Sequence, residues 1–576
     1  MKSHVTMTKV IRPFLKNLAL VFVAALLFAA SNPNPVFTNG LPLLAWIAYV
    51  PIFYLVRHVG FGAAALWGAL YGYAAYGLYN YWLTVFHPLA GIIVGSIYLI
   101  YMAVLFPLLK LAVLFFPKRG YILQWLLWMA YEFLRTQGFL GYSYGVTGYS
   151  QWNLLPVIQI AAITGVWGVS ALVVFPSAWL AAALGSGELG IGNREKTLVP
   201  SPQSLVPQIK AFFRRERVSA LLWLVLLVAT LVYGFVSPID YSGERKFRVA
   251  LIQHNTDPWE AAKAETAALA LEAYRQDFRV LSRLSDEALA SQPDTDLVVW
   301  SETAFVPRIH WHSTYRTSPG YWALVRELLE YLSERDVPFI IGNDDGRRDP
   351  SINPIGDNSV NFNAAILLER GEIVEIYRKL HLVPFTEHFP YRRQFPWIYD
   401  ALRNADTHFW EKGTEVTVFE VGGVRFSTPI CFEDTFGYIS RKFVLNGAEV
   451  IVNLSNDAWA GSLSCQMQHL SMAIFRAVEN RRAMVRSTAS GQTAAIDPNG
   501  RIIAMAQPFT ESYLNAEVPV ISGHLTIYTR YGDYLGIIFT LTAILLLLSG
   551  LISYIMVQQR GSPTLRSLAA GSRKRS

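Results

Sequence analysis

Apolar runs long enough to cross a bilayer stand at both ends of this 576-residue chain and enclose one polar stretch. A hydrocarbon core of about 30 Å asks for roughly 20 apolar residues wound as a helix, because a helix satisfies its own backbone groups away from water. Residues 14–31, 41–57, 62–83, 89–116, 121–137, 154–184 and 219–237 qualify before the polar stretch, and 534–556 after it. The expected organisation is a membrane domain of seven spans over residues 1–237, a polar domain over 238–533, an eighth span over 534–556 and a basic tail over 557–576. Lys9, Arg12 and Lys16 before the first run, with Ala29 and Ala30 near its end, resemble a secretory signal, but the spans that follow favour a retained anchor.

Composition agrees: 52% of residues are apolar and only 16% charged, which sets the chain apart from soluble proteins of its size. The formal charge of +7 is no nucleic-acid footprint, since the basic residues sit in short clusters beside apolar runs. They read as topology signals, with Lys and Arg on the cytoplasmic side. Arg57, then Lys118 with Arg119, then the run from Arg194 to Arg217 alternate with the uncharged loops 32–40, 84–88 and 138–153. Both termini are thus expected in the cytoplasm and the polar domain outside it, against the outer leaflet. Glu132 and Arg135 lie three residues apart in the fifth run, where they can meet on one helix face. They read either as a structural ion pair or as lining a lipid-facing cavity.

From Phe247 short apolar runs alternate with helix-like polar stretches, the pattern of an α/β domain. Strands are expected over residues 247–253, 296–300, 338–342, 363–368, 373–377, 424–429 and 448–454, and helices over 261–290 and 321–335. Polar residues repeatedly follow the strands, where α/β proteins place reactive groups. No P-loop, GxGxxG, HExxH or CxxC occurs, so no metal or nucleotide cofactor is expected. His381, His388 and His469 read as ordinary hydrogen-bonding histidines.

Only two cysteines occur, too few for a disulfide framework. Cys431 stands where an apolar strand gives way to Phe432, Glu433 and Asp434, a place for a nucleophile as well as for a small buried residue. A thiol nucleophile needs a base or a cation beside it. Glu302, directly after the strand 296–300, is positioned for general-base work, and Lys379 can offer charge and hydrogen bonds to an oxyanion. Taken alone, each also fits an ordinary surface residue. Cys465 has no base or cation around it and reads as a passive thiol.

Together, WSETA (residues 300–304), YRKLHLVPFTEHFP (377–390) and PICFED (429–434) resemble, in that order, the Glu, Lys and Cys segments of the nitrilase superfamily. More narrowly they resemble the apolipoprotein N-acyltransferase family, and YEFLR (131–135), the stretch 149–170, NLSNDAWAG (453–461), residues 475–500 and TIYTRYGD (526–533) extend the likeness over nearly the whole chain. The resemblance implies a multi-span helical membrane domain joined to a nitrilase-like α-β-β-α sandwich. It makes Cys431 the nucleophile, Glu302 the general base and Lys379 the stabiliser of the tetrahedral intermediate, with Glu387 and Glu433 as supporting carboxylates and Trp259 as a lipid-binding aromatic. It implies no cofactor, a phospholipid acyl donor, a diacylated apolipoprotein as acceptor, and a bacterial inner-membrane location with an extracytoplasmic active site. Ser301, Thr386, Phe432 and Ala460 depart from the usual Pro, Gly, Tyr and aromatic beside the triad; the loss of bulk at Ala460 is expected to alter a lipid-contacting loop. The rival readings are a membrane-bound amidase and a non-catalytic lipoprotein-binding protein.

Overall fold

The computed structural model describes residues 2–86, 88–185, 202–257, 264–351, 358–404 and 409–561. Five described helices are long and apolar enough to cross a membrane: Ile11–Ser31, Ala90–Phe115, Val166–Gly185, Arg217–Val236 and Tyr534–Val557. Four expected runs differ, among them 62–83, which is helical over Phe61–Tyr79 but is not one of these five. Residues 41–57 form a 3-10 turn, Pro42–Trp46, followed by the short helix Val50–His58, each with proline in its first turn. The run 121–137 is helical only over Gly120–Leu134, 15 residues.

The run 154–184 divides into Leu155–Ile158, Ala161–Thr164 and Val166–Gly185. Gly165 causes the last break: its φ of 63° is left-handed, and a Cβ there would lie 2.6 Å from the Tyr528 ring. Close packing elsewhere also relies on missing side chains. A Cβ on Gly72 of helix Phe61–Tyr79 would stand 2.2 Å from the Tyr98 carbonyl oxygen, so the two helices touch backbone to backbone.

Glu132 and Arg135 do not pair. Arg135 ends its helix and turns its guanidinium onto the Tyr98 hydroxyl (2.8 Å) and the Tyr142 and Tyr144 carbonyls (2.8 and 2.9 Å). Glu132 accepts instead from Trp128 Nε1 (3.2 Å) and from the Thr147 amide and hydroxyl. Each buried charge finds its partners in the loop 142–147 that folds back under the helix, so both pin that loop.

The described residues of the polar domain hold twelve strands: β1 Lys246–Gln253, β2 Leu297–Trp300, β3 Phe339–Arg348, β4 Ser359–Glu369, β5 Glu372–Arg378, β6 Phe419–Val421, β7 Val424–Ser427, β8 Val450–Ser455, β9 Ala483–Thr488, β10 Ala494–Ile496, β11 Ile502–Met505 and β12 Ser512–Pro519. They form two six-stranded sheets ordered β12-β1-β2-β3-β4-β5 and β11-β10-β9-β8-β7-β6. β1, β2 and β3 run parallel, as do β7, β8 and β9, and the central strands β2, β8 and β9 are buried along their whole length.

The sheets face one another through Val249, Leu251 and Val299 of one and Phe426, Val450 and Val452 of the other. Ser487 of β9 ties them, donating to the Ile252 and Val299 carbonyls at 3.0 and 3.1 Å. Helices Ala267–Ser291 and Pro319–Ser333 cover the first sheet through Leu281, Leu284, Leu324 and Leu328. Gly437–Leu445 and Leu463–Asn480 belong to the second. The result is the α-β-β-α sandwich expected from the sequence.

Membrane helices and sandwich are hydrogen-bonded together. Trp82 Nε1 donates to Gln468 Oε1 (3.0 Å), Arg476 to the Tyr149 hydroxyl (3.1 Å) and Trp167 Nε1 to Asp533 Oδ1 (2.7 Å). The first two hold one face of the helix Leu463–Asn480 against the helical part, and the third ties the segment before Tyr534 to it.

Candidate active site

β2, β5, β7 and β8 deliver their next residues to one place. Lys379, directly after β5, is wholly buried and lies between two carboxylates, 3.2 Å from Glu302 Oε1 and 2.9 Å from Glu387 Oε1. Burial disfavours its charged form, but Glu302 and Glu387 outweigh that and raise its pKa. Burial in turn raises the pKa of Glu387 against the pull of Lys379. Glu302 is held at both oxygens: Asn363 Nδ2 and Lys379 on Oε1, at 2.8 and 3.2 Å, and the Asn456 backbone amide on Oε2 at 3.1 Å. Glu387 is fixed by the Val383 amide at 2.9 Å.

Cys431 opens a one-turn 3-10 helix, Cys431–Thr435, beyond β7. The chain reaches Ile430 extended and then reverses, with Cys431 at φ 47°. A left-handed non-glycine residue costs on the order of 1–2 kcal/mol, and the surroundings must hold it. Asn453 Nδ2 does so from β8, donating to the Pro429 carbonyl at 2.9 Å. Thr303, immediately after Glu302, carries the same strain at φ 49°. Desolvation and the negative charge of Glu302 raise the Cys431 pKa well above its ordinary value, and Lys379 opposes them. The resting thiol is therefore protonated and needs a base to become a nucleophile.

Glu433 organises the turn from below. It accepts from the Tyr377 hydroxyl at both oxygens (2.8 Å each), from the Leu380 and His381 amides (2.7 and 2.9 Å) and from the Ile430 amide (2.8 Å). It thereby joins the backbone after Lys379 to the backbone before Cys431. Burial pushes its pKa up to about 7 against these donors and Lys379.

The structure thus gathers Glu302, Lys379, Cys431, Glu387 and Glu433, while Trp259 lies outside the described residues. From the sequence Asn456 stands only as a polar residue at a strand end, and Asn363 carries no assigned role. Asn456 acts through its backbone amide, and the only signal for Asn363 was a polar residue on a buried strand. Phe432 packs against Phe436 and His381, at centroid distances of 4.9 and 5.7 Å. Ala460 is fully buried, and its neighbour Trp459 packs on Trp82 at 5.6 Å. Cys465 is buried and burial raises its pKa, in keeping with a passive thiol.

A protonated thiol beside a carboxylate, with a lysine held cationic by two acids, is equipped for acyl transfer through a covalent intermediate. Known proteins resemble both parts of the chain. The family described as carbon-nitrogen hydrolase matches residues 248–524, and the apolipoprotein N-acyltransferase N-terminal domain matches residues 23–179. A Treponema denticola protein named Apolipoprotein N-acyltransferase 1 is 44% identical over 544 residues, covering 92% of this chain and 96% of its own. Its namesake in Treponema pallidum is 45% identical, covering 94% and 97%. The Apolipoprotein N-acyltransferase of Geobacter metallireducens is 32% identical, covering 89% and 91%.

Proposed function

This chain belongs to the apolipoprotein N-acyltransferase family, and from that premise we propose how its residues N-acylate lipoproteins. It is a membrane enzyme with a lipoprotein substrate. The acyl donor in our reading is a membrane phospholipid, and Cys431 carries the acyl group as a thioester.

Glu302 takes the Cys431 proton as sulfur attacks the ester carbonyl; Lys379 faces the oxyanion that forms. Glu302 returns the proton to the departing alkoxide, and a lysophospholipid leaves. The α-amino group of the lipoprotein's diacylglyceryl-cysteine then attacks the thioester. Glu302 accepts a proton from the amine, the amide forms and the Cys431 thiol is restored. Glu387 keeps Lys379 in place, and Glu433 keeps the Cys431 turn in register with the Lys379 backbone. The observation that carries this reading is Lys379 bridging Glu302 and Glu387 beside the strained Cys431 turn.

Residues 1–237 and 534–556 are proposed to anchor the enzyme in a bacterial inner membrane, with residues 238–533 on the periplasmic side and both termini cytoplasmic. The alternation of basic and uncharged loops supports this orientation. Both lipid substrates then lie in the leaflet facing the site.

Intact-mass measurement after incubation with phospholipid tests the mechanism. The expected result is one fatty acyl adduct, absent from C431A, that disappears with amide formation when a diacylated peptide is added. No adduct on folded protein overturns the thioester; release of free fatty acid without transfer identifies a hydrolase.

A further inference from the structure

Behind the Cys431 turn four charged side chains are buried together. His469, on the helix Leu463–Asn480, is bonded through Nε2 to Asp434 Oδ1 at 2.6 Å and through Nδ1 to Asp457 Oδ1 at 2.9 Å. Arg486 of β9 meets the other oxygens of the same acids, Asp434 Oδ2 and, at 3.5 Å, Asp457 Oδ2. All four are at most 2% exposed. Two cations balance two anions only while His469 is an imidazolium, the form in which both ring nitrogens donate.

The two acids belong to different parts of the site. Asp434 lies in the turn Cys431–Thr435, three residues from the thiol. Asp457 follows Asn456, whose amide holds Glu302 Oε2 at 3.1 Å. A single imidazolium therefore ties the segment that carries the nucleophile to the segment that holds the base.

We propose that His469 is a positioning residue for acyl transfer, clamping Asp434 to Asp457 and so fixing the Cys431 thiol against the Glu302 carboxylate. The proposal rests on Cys431 and Glu302 being the reacting pair. Neutral imidazole has one N–H and one lone pair, so it satisfies one carboxylate and turns its lone pair to the other. Burial disfavours the charged ring, but Asp434 and Asp457 outweigh burial and the repulsion of Arg486 and hold its pKa at about 9. The groups facing the ring are Asp434 from the turn, Asp457 from the loop after β8, Arg486 from β9, and the Tyr144 ring from the helical part at 6.2 Å. On its own helix Cys465 is one turn away.

The test uses full-length protein in detergent, with mixed phosphatidylethanolamine and phosphatidylglycerol micelles as donor, and follows the Cys431 adduct by mass. H469Q is expected to slow adduct formation about 100-fold with KM for the donor changed less than about twofold, the signature of a misaligned pair and not of lost binding. The wild-type rate is expected to fall above about pH 9, and that limb to be missing in H469Q. Adduct formation by H469Q at the wild-type rate overturns the proposal. Should H469Q fail to fold, the wild-type profile decides: a rate that stays flat to pH 10 overturns it. C431A separates the premise, since an adduct on C431A sinks the reading of the site itself, whereas an inert C431A with an unaffected H469Q sinks only the clamp.

Discussion

The ammonium group of Lys379 stands 3.2 Å from Glu302 Oε1, with the lysine wholly removed from solvent and Glu387 on its other side. Taking away one member of a buried ion cluster leaves the others uncompensated, at a cost of about 3–5 kcal/mol. K379M leaves two carboxylates facing each other. It is expected to lower the thermal transition sharply, and K379M with E387Q to recover part of that loss. Both variants should form adduct at least ~100-fold more slowly, since neither restores a cation at the oxyanion. A K379M protein as stable as wild type would contradict the pairing.

Tyr377 gives a smaller, separable effect. Its hydroxyl is buried and donates to both oxygens of Glu433, which also accepts three backbone amides. Y377F removes a hydrogen bond to a charged acceptor, worth about 1.5–3 kcal/mol, but leaves the amides in place. A lowered thermal transition with adduct formation slowed about tenfold is expected, against a far larger loss for C431A. Equal stability and rate in Y377F would show that the amides alone hold the turn.

These two cases also mark what the sequence made legible. Glu302 and Cys431 are legible because each follows a short apolar strand, and Lys379 because its segment stands between theirs in the order that the family resemblance requires. The alternation of strand and helix marks an α/β domain, whereas the two-sheet sandwich is legible only through the family resemblance. His469 read as an ordinary histidine because its partners, Asp434, Asp457 and Arg486, come from three separate segments that only the second sheet and its helix bring together. Glu132 and Arg135 part for a related reason: helical spacing places two residues on one face, but a loop returning from residues 142–147 offers both of them other partners. Breaks in the apolar runs depended on Gly165 needing a left-handed φ to admit Tyr528, a constraint set by a residue over 300 positions away.

His469 also makes stability depend on pH. Its folded pKa, about 9, lies above the 6.5 of a free histidine, so the folded state binds the proton more tightly. The stabilisation is fully present below about pH 6.5 and is lost as pH rises through about 9, amounting to about 3 kcal/mol. The thermal transition of the detergent-solubilised protein should therefore decline between pH 7 and 10, and H469Q should lack that component of the decline. An identical slope in H469Q would assign the loss to other groups.

Gln468, the neighbour of His469, carries a different load, because its amide is stitched to three points of the helical part. Its Oε1 accepts from Trp82 Nε1 at 3.0 Å, and its Nε2 donates to the carbonyls of Pro33 and Tyr79 at 2.9 and 3.2 Å. Q468L strands all three buried partners, each at about 1–3 kcal/mol, whereas W82F removes one bond and leaves the glutamine oxygen unpaired. Stability should fall in the order wild type, W82F, Q468L. Since these bonds join membrane helices to the sandwich and touch none of the reacting groups, KM for the phospholipid is expected to rise while adduct formation at saturating lipid changes little. A reversed pattern, with the saturated rate collapsing and KM intact, would mean that the Gln468 link tunes the Cys431 site and not its seating at the lipid surface.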